Sequence, residues 1–340
     1  MSVTFSILDQ ESRLPAAARA ALEQAAATKN SSLNYPALSE GASGGLLGAL
    51  SSLFSGSAQP RLHSDELDAS RAALSLLPLG TTLLVDTRTP LVYLVEDTDN
   101  LGTLGSLTEA NAAKLARIIV PSRAAKDKLL TVCPYPSERI QIIPAPPTHS
   151  PSRTRAPRDL SDKTLRVLLI ARESKRDALA MALRAVETAS QQRTIQLSIA
   201  APASLHSISV PSLGSSSVVT WIEDSSVQLG SEESTALMTA QDLLLVPDGE
   251  GERELVLYAL ACGVPVVGER HEDIASLPRR DRSGWLYLPE MTEAKMAKHM
   301  IELSPSQIND ASAWALKDST ERYSYNAWAS SVLELLNSLG

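Results

Sequence analysis

Apolar residues in the second half of this chain come in short runs, and most runs are followed by a longer segment of helical spacing. The runs at 167–170, 195–200, 218–222, 243–246, 264–267 and 285–287 have strand length. Between and after them, 177–189, 232–239 and 255–262 read as unbroken helices, and 292–303 is amphipathic at helical period. Such short, strongly apolar runs suit strands buried on both faces, so the alternation predicts parallel sheet covered by helices. The clearest unit is 243–267: a strand ending at Val246, a turn from Pro247 to Gly251, and a helix over 255–262. Gly263 can cap that helix and Pro265 stops it before the next strand. A turn ahead of a helix presents backbone N–H groups and carboxylates to a polar ligand.

The first half is less regular. Residues 3–8, 83–85, 91–95, 118–120 and 140–143 read as strands, and 15–27, 108–116 and 122–131 as helices. Residues 39–60 are biased toward Gly, Ser and Ala and suggest a long loop or a loosely held helix. The segment 148–160, THSPSRTRAPRDL, has the Pro, Arg and Ser content of a linker. The pattern as a whole predicts an α/β fold with two parallel-sheet domains.

A chain of 340 residues accommodates two medium domains. Hydrophobic residues make up 44% and aromatics only 4%, so the cores are aliphatic. Net charge is −8, and residues 1–155 carry 14 basic and 14 acidic side chains, which puts the whole acidic excess later in the chain. Nucleic acid is not an expected partner, because phosphate backbones need a basic footprint. Cys133 and Cys262 are the only cysteines, which suits a reducing, cytoplasmic location and excludes a disulfide framework. The five histidines, at 63, 149, 206, 271 and 299, are scattered, and no metal-ligand spacing is present. The opening residues carry neither a basic n-region nor a long apolar run, so neither a signal peptide nor a membrane span is expected. The run 44–55 is too short to span a bilayer but long enough to touch a membrane interface. Gly249-x-Gly251-x-x-Glu254 follows a strand, yet its third position is Glu, which argues against a dinucleotide fingerprint.

Pro247, Glu250, Gly251, Ala261, Cys262, Gly263, Pro265, Val266 and Val267 resemble the nucleotide-sugar signature of GT-B glycosyltransferases, in particular the retaining group 1 or family 4 enzymes. Further similarities run in order from about residue 110 to the end: 116–122, 136–144, 169–172, 283–286 and 323–325. The resemblance implies two Rossmann-like domains. Residues 1–148 would form the acceptor side, 149–160 the linker, 161–322 the nucleotide-sugar domain, and 323–340 a helix crossing back toward the first domain.

It also implies roles. Arg172, with Lys175 or Arg176, would neutralise the leaving diphosphate, and Glu250 would hold donor-sugar hydroxyls. Gly251, Glu254 and Leu255 belong to the turn and helix start that face the donor, a UDP- or GDP-sugar; no metal or further cofactor is implied. The family's second glutamate, eight positions after the first, grips the ribose; here that position is Tyr258. Glu96 stands where the family commonly has a histidine near the transferred sugar, and His271 follows a strand that the family continues into a Gly-rich turn. From the residues alone, 172–176 also reads as a charged surface loop, Glu250 as a helix N-terminal acid, and Tyr258 as a core residue. Two functions therefore stand. One is hexose transfer with retention to a glycan, lipid or protein. The other is a catalytically silent relative that serves as a binding or scaffold subunit beside a partner glycosyltransferase.

Overall fold

The computed structural model describes the chain except residues 1–2, 10–13, 37–38, 41–61, 64, 69, 77–84, 87, 96–114, 133–134, 207, 209–212, 216, 224–227 and 340. Contacts divide it into two units, Met1–Ala145 with Tyr325–Gly340, and Pro146–Ser324. Both are parallel α/β units, as the strand and helix alternation predicts.

The first unit contains β1 (Val3–Leu8), α1 (Ala16–Thr28), β2 (Ser31–Asn34), β3 (Ser39–Glu40), β4 (Leu62–His63), α2 (Asp65–Asp68), β5 (Ala73–Ser75), β6 (Val85–Asp86), β7 (Leu91–Leu94), β8 (Leu115–Val120), α3 (Arg123–Val132) and β9 (Ile140–Ile142). Six strands form one parallel sheet in the order β2-β1-β5-β7-β8-β9, while β3, β4 and β6 form a small separate sheet. Strands β2 and β5 escape the apolar-run criterion, because SSLN is polar and ALS is only three residues long. Leu115 and Ala116, expected at the end of a helix, begin β8 instead, where Leu115 is fully buried. The helix expected over 108–114 and the apolar run 44–55 lie outside the described residues. The terminal helix Tyr325–Asn337 packs Trp328, Val332 and Leu336 into the cluster that holds Phe5, Ile7 and Leu22.

The second unit contains β10 (Leu165–Ile170), α4 (Arg176–Ser190), β11 (Ile195–Ala201), β12 (Val218–Glu223), α5 (Glu232–Thr239), β13 (Leu243–Val246), α6 (Arg253–Cys262), β14 (Val266–Glu269), β15 (Gly284–Tyr287), α7 (Thr292–Glu302) and α8 (Pro305–Arg322). Its sheet order is β12-β11-β10-β13-β14-β15, every pair parallel. Counted within the unit this is 3-2-1-4-5-6, the doubly wound Rossmann order. Local chemistry sets the helix ends. Ser231 caps α5 through the Ser234 N–H at 3.0 Å, and Ser304 with Gln307 forms a capping box on α8. Gly263 ends α6 at φ 79°, a conformation that costs glycine little. At Gly268 a Cβ would stand 1.9 Å from the Val246 carbonyl oxygen, so only glycine lets β13 and β14 approach there.

The Arg- and Pro-rich stretch 149–160, expected as a linker, is packed into the second unit. Arg155 and Arg158 are buried, and both pair with Asp242, itself 1% exposed. Arg155 Nη2 lies 2.7 Å from Asp242 Oδ1, and Arg158 Nη1 bonds the other carboxylate oxygen. Arg155 also donates to the Gln241 carbonyl and to Ser312 Oγ, each at 2.8 Å. Within this stretch of linker-like composition, two arginines supply a buried ion cluster. The terminal helix, expected over 323–340, spans Tyr325–Asn337, and Tyr323 and Ser324 separate it from α8. The Tyr323 hydroxyl shares its proton between the Ser276 and Leu277 carbonyls of the preceding loop.

His299 on α7 packs against Trp285, with ring centroids 5.0 Å apart, and its ring nitrogens lie within 3.0 Å of the Tyr287 hydroxyl. Burial lowers its pKa below the ordinary imidazole value, against the opposing pull of Glu302. Protonation therefore favours the unfolded chain. The stability due to neutral His299 is complete above the ordinary imidazole range and falls as pH drops below it. The expected result is a melting temperature that declines from neutral pH toward about pH 5, with a shallower decline in His299→Phe. Equal slopes for the two proteins would remove His299 from the account.

Candidate functional site

Strand order reverses between β10 and β13, whose connections leave toward opposite sides of the sheet. At such a switch point the loops beyond the strand carboxyl ends part and leave a crevice, the usual ligand position in this fold. Two loops flank it here: 171–175 after β10 and 247–252 after β13.

The structure brings several expected residues together at this point. Lys175 is only 15% exposed at its side chain and reaches across to the opposite loop. Its Nζ donates to the Glu250 carbonyl and, at 3.3 Å, to the Asp248 carbonyl. The carboxylates of Asp248 and Glu252 each lie 3.4 Å from the same nitrogen. Arg172 is 56% exposed and places Nη2 3.4 Å from Glu252 Oε2. Arg176, the first residue of α4, is exposed and makes no ion pair among the described residues. Glu250 is exposed too. Its N–H bonds Asp248 Oδ1 at 2.9 Å and its carbonyl receives Lys175, while its carboxylate faces no cation among the described residues. Gly251 gives its N–H to Asp273 Oδ2 at 2.9 Å.

Others are turned elsewhere. Glu254 accepts the Thr148 N–H at 2.8 Å and pairs with Arg253 at 3.0 Å. Leu255 is buried in the apolar cluster beneath α6, yet it also lines the small crevice between the two loops. Tyr258 is 1% exposed in the same cluster, with Leu244, Val266 and Met238. Its hydroxyl lies 2.7 Å from Thr235 Oγ1 and 3.3 Å from Ser234 Oγ. Between the ribose-facing and the core placement that the sequence leaves open, the described structure takes the core. Glu96 lies outside the described residues. His271 is partly exposed, 3.4 Å from Asp273, and its Cβ crowds the place where a Gly249 side chain would start.

Two acids at this edge were not singled out by sequence reasoning. Glu252 has a side chain only 6% exposed and touches both Arg172 and Lys175. In the sequence it is one of three alternating glutamates, at 250, 252 and 254, and nothing local marks it as the buried one. Glu269 ends β14, and its pKa is raised by burial first and by Asp248 second, with His271 and Lys175 opposing. The crevice between the loops has a free volume of about 10 Å³, room for roughly one water. With Glu252 in place the two cations are already partly neutralised, so an incoming anion must compete for them. Cys262, the last residue of α6, is buried and its thiol is pushed up to about 12, which removes it as a nucleophile near neutral pH. Among the described residues no cluster of three His, Cys, Asp or Glu could hold a metal ion, and no helix is long and apolar enough to cross a membrane.

No family model and no curated protein sequence matches the chain. Solved structures do. HepE of Anabaena in complex with UDP and glucose superposes with a TM-score of 0.53 at 15% identity, covering 99% of this chain and 100% of HepE. A glycosyltransferase from Rickettsia africae gives 0.56 at 9% identity, with 99% and 98% covered. Sucrose-phosphate synthase from Thermosynechococcus elongatus gives 0.51 at 13% identity, with 99% of each chain covered. At such identities the likeness is one of fold, and that fold is the GT-B architecture of these glycosyltransferases: two Rossmann-like parallel-sheet domains.

Proposed function

We propose that this chain is a glycosyltransferase that moves a hexose from a nucleoside-diphosphate sugar, UDP- or GDP-linked, to a glycan, lipid or protein acceptor with retention of configuration. The observation that carries this reading is the meeting of Arg172, Lys175 and the Glu250 loop at the switch point of the second unit. Departure of a nucleoside diphosphate builds negative charge on the leaving oxygens. Preorganised cations stabilise that charge more in the transition state than in the ground state, which is the condition for catalysis. In this reading Arg172 and Lys175 bind the diphosphate, with Arg176 beside them. Glu250, whose carboxylate has no cation partner among the described residues, receives sugar hydroxyls. HepE, of the same fold, binds UDP and glucose, which favours UDP as the first donor to test. The work would be done in the reducing cytoplasm.

A second reading is favoured by one specific observation, the burial of Tyr258. With that position in the core and Glu254 engaged by Thr148, no acid of α6 is left free to hold a ribose. A silent GT-B subunit acting beside a partner glycosyltransferase would have that property.

Thermal shift with UDP, GDP and their sugars separates these possibilities, since a ligand of the native state raises its stability. UDP is expected to raise the melting temperature, and Lys175→Ala to weaken UDP roughly tenfold, the scale of a lost charge-assisted hydrogen bond. Glu252→Gln is expected to strengthen UDP by a similar factor, because it frees the two cations from a competing carboxylate. UDP-sugar hydrolysis or transfer marks the enzyme; binding without turnover marks the silent subunit. No shift with any nucleotide would sink both as nucleotide-sugar proteins.

A further inference from the structure

The second unit carries a larger cavity away from the switch point, a groove of about 380 Å³ around β15. Strand β15 ends the sheet order, and beyond an isolated bridge between Gly284 and Arg280 it has no further strand partner among the described residues. Ala275 and Pro278 line the groove from the segment that packs Ile274 and Leu277 beneath α6. Met291, just before α7, and Lys295, in its first turn, line it, while Met296 and Met300 of the same helix pack on the opposite face of the sheet. A cavity lined from both faces wraps around the sheet edge.

Two features of the lining need explaining together. It holds Arg270, Arg280 and Lys295 and no carboxylate, although the chain as a whole carries −8. Neither Arg270 nor Lys295 forms an ion pair among the described residues, and Arg280 has only the exposed Asp281, at 3.5 Å. Leu288 and Met291, 49% and 42% exposed, stand in the same lining. They are two of the six large hydrophobic residues exposed among the described residues. Cations alone would be explained as guards of a sheet edge, which keep other strands from pairing. That role gives no reason for two exposed apolar side chains beside them. An apolar ligand would account for Leu288 and Met291 but leave three cations idle.

We propose that this groove binds an anionic amphiphile: a phosphate or carboxylate head held by Arg270, Arg280 and Lys295, joined to an alkyl or similar apolar body that lies on Leu288 and Met291. The volume falls within the range of small-molecule sites, about 300–1,000 Å³. The head gains charge-assisted hydrogen bonds, and the body removes exposed apolar surface from water. The proposal is independent of the donor site, because none of these residues touches the switch-point crevice.

Hexyl phosphate and inorganic phosphate, titrated into the full chain by calorimetry, test the head and the body separately. Hexyl phosphate is expected to bind about tenfold more tightly than inorganic phosphate. The double variant Arg270→Ala, Lys295→Ala is expected to lose both ligands with an unchanged melting temperature. Leu288→Ser, Met291→Ser should lose the hexyl advantage and keep the phosphate affinity. Flotation with vesicles of phosphatidylcholine, with and without phosphatidic acid, distinguishes the source of the amphiphile. Flotation only with the acidic lipid, lost in the double charge variant, identifies a lipid headgroup. Hexyl phosphate binding without flotation identifies a soluble ester. Absence of both, or equal binding by wild type and the charge variant, overturns the proposal.

Discussion

Asp242→Asn is expected to destabilise the second unit by about 3–5 kcal/mol, the scale measured when one member of a buried ion cluster is removed. The substitution keeps the shape of the side chain and deletes its charge. Two buried guanidinium groups, those of Arg155 and Arg158, then lose their common counter-ion. The same carboxylate accepts the Arg166 N–H at 2.8 Å, near the start of the central strand β10, so a bond that anchors the sheet interior weakens with it. Arg155→Met is the instructive partner. It leaves Asp242 paired with Arg158 and removes a charge rather than stranding one, so the expected loss is smaller, about 1–3 kcal/mol. Urea unfolding followed by tryptophan fluorescence reads this directly, since Trp221, Trp285 and Trp314 lie in the second unit and only Trp328 in the first. Equal losses for the two variants would mean that the cluster behaves as ordinary hydrogen bonds. The consequence reaches the candidate site, because Asp242 directly precedes β13 and the far end of that strand carries the 247–252 loop.

Tyr258→Glu, which would bring back the acid typical of the resembling family, is expected to cost several kcal/mol of stability and to leave UDP affinity no higher. The position looks into the core. Its neighbours are Leu244, Val266, Met238 and two hydroxyls, a setting in which an ionised carboxylate has no counter-charge and no water. The acid would be forced toward its protonated form, its folded pKa raised above the unfolded one. Its destabilising effect therefore eases as pH falls and grows as pH rises. Tyr258→Phe sets the scale for the hydroxyl alone. Thr235 Oγ1 keeps its bond to the Ser231 carbonyl at 2.9 Å, so losing the tyrosine donor costs only about 1 kcal/mol. Melting temperatures across pH, with UDP titrations of the same proteins, check both statements. A gain of UDP affinity in Tyr258→Glu without loss of stability would place position 258 at the donor after all.

Much of this protein is legible in its sequence. Strand length and helix length, read from apolar runs and breakers, determined the α/β class and the parallel sheets, because a doubly covered strand must be apolar throughout. The unit at 243–267 was readable almost residue by residue, since Pro247, Gly263 and Pro265 act through their own backbone constraints and need no distant partner. Arg172, Lys175 and Glu250 were legible as candidates through the resemblance to GT-B glycosyltransferases, which implies donor contacts at those positions, while from the residues alone they also read as surface charges.

Tertiary structure decided the rest. Whether Arg155 and Arg158 solvate a tether or enter a core depends on Asp242, more than eighty positions away, and no local pattern encodes that meeting. The same holds for the three glutamates at 250, 252 and 254. They look alike in the chain, yet the turn exposes the first, buries the second against Arg172 and Lys175, and hands the third to Thr148. Tyr258 was undecided for the same reason, as a helical residue faces ligand or core according to how its helix is laid on the sheet. Sequence by itself determined which backbone forms each segment could adopt, because those preferences are local. Only the fold decided which charges are desolvated and by whom they are paired, because burial and counter-ions arise from contacts between segments far apart in the chain.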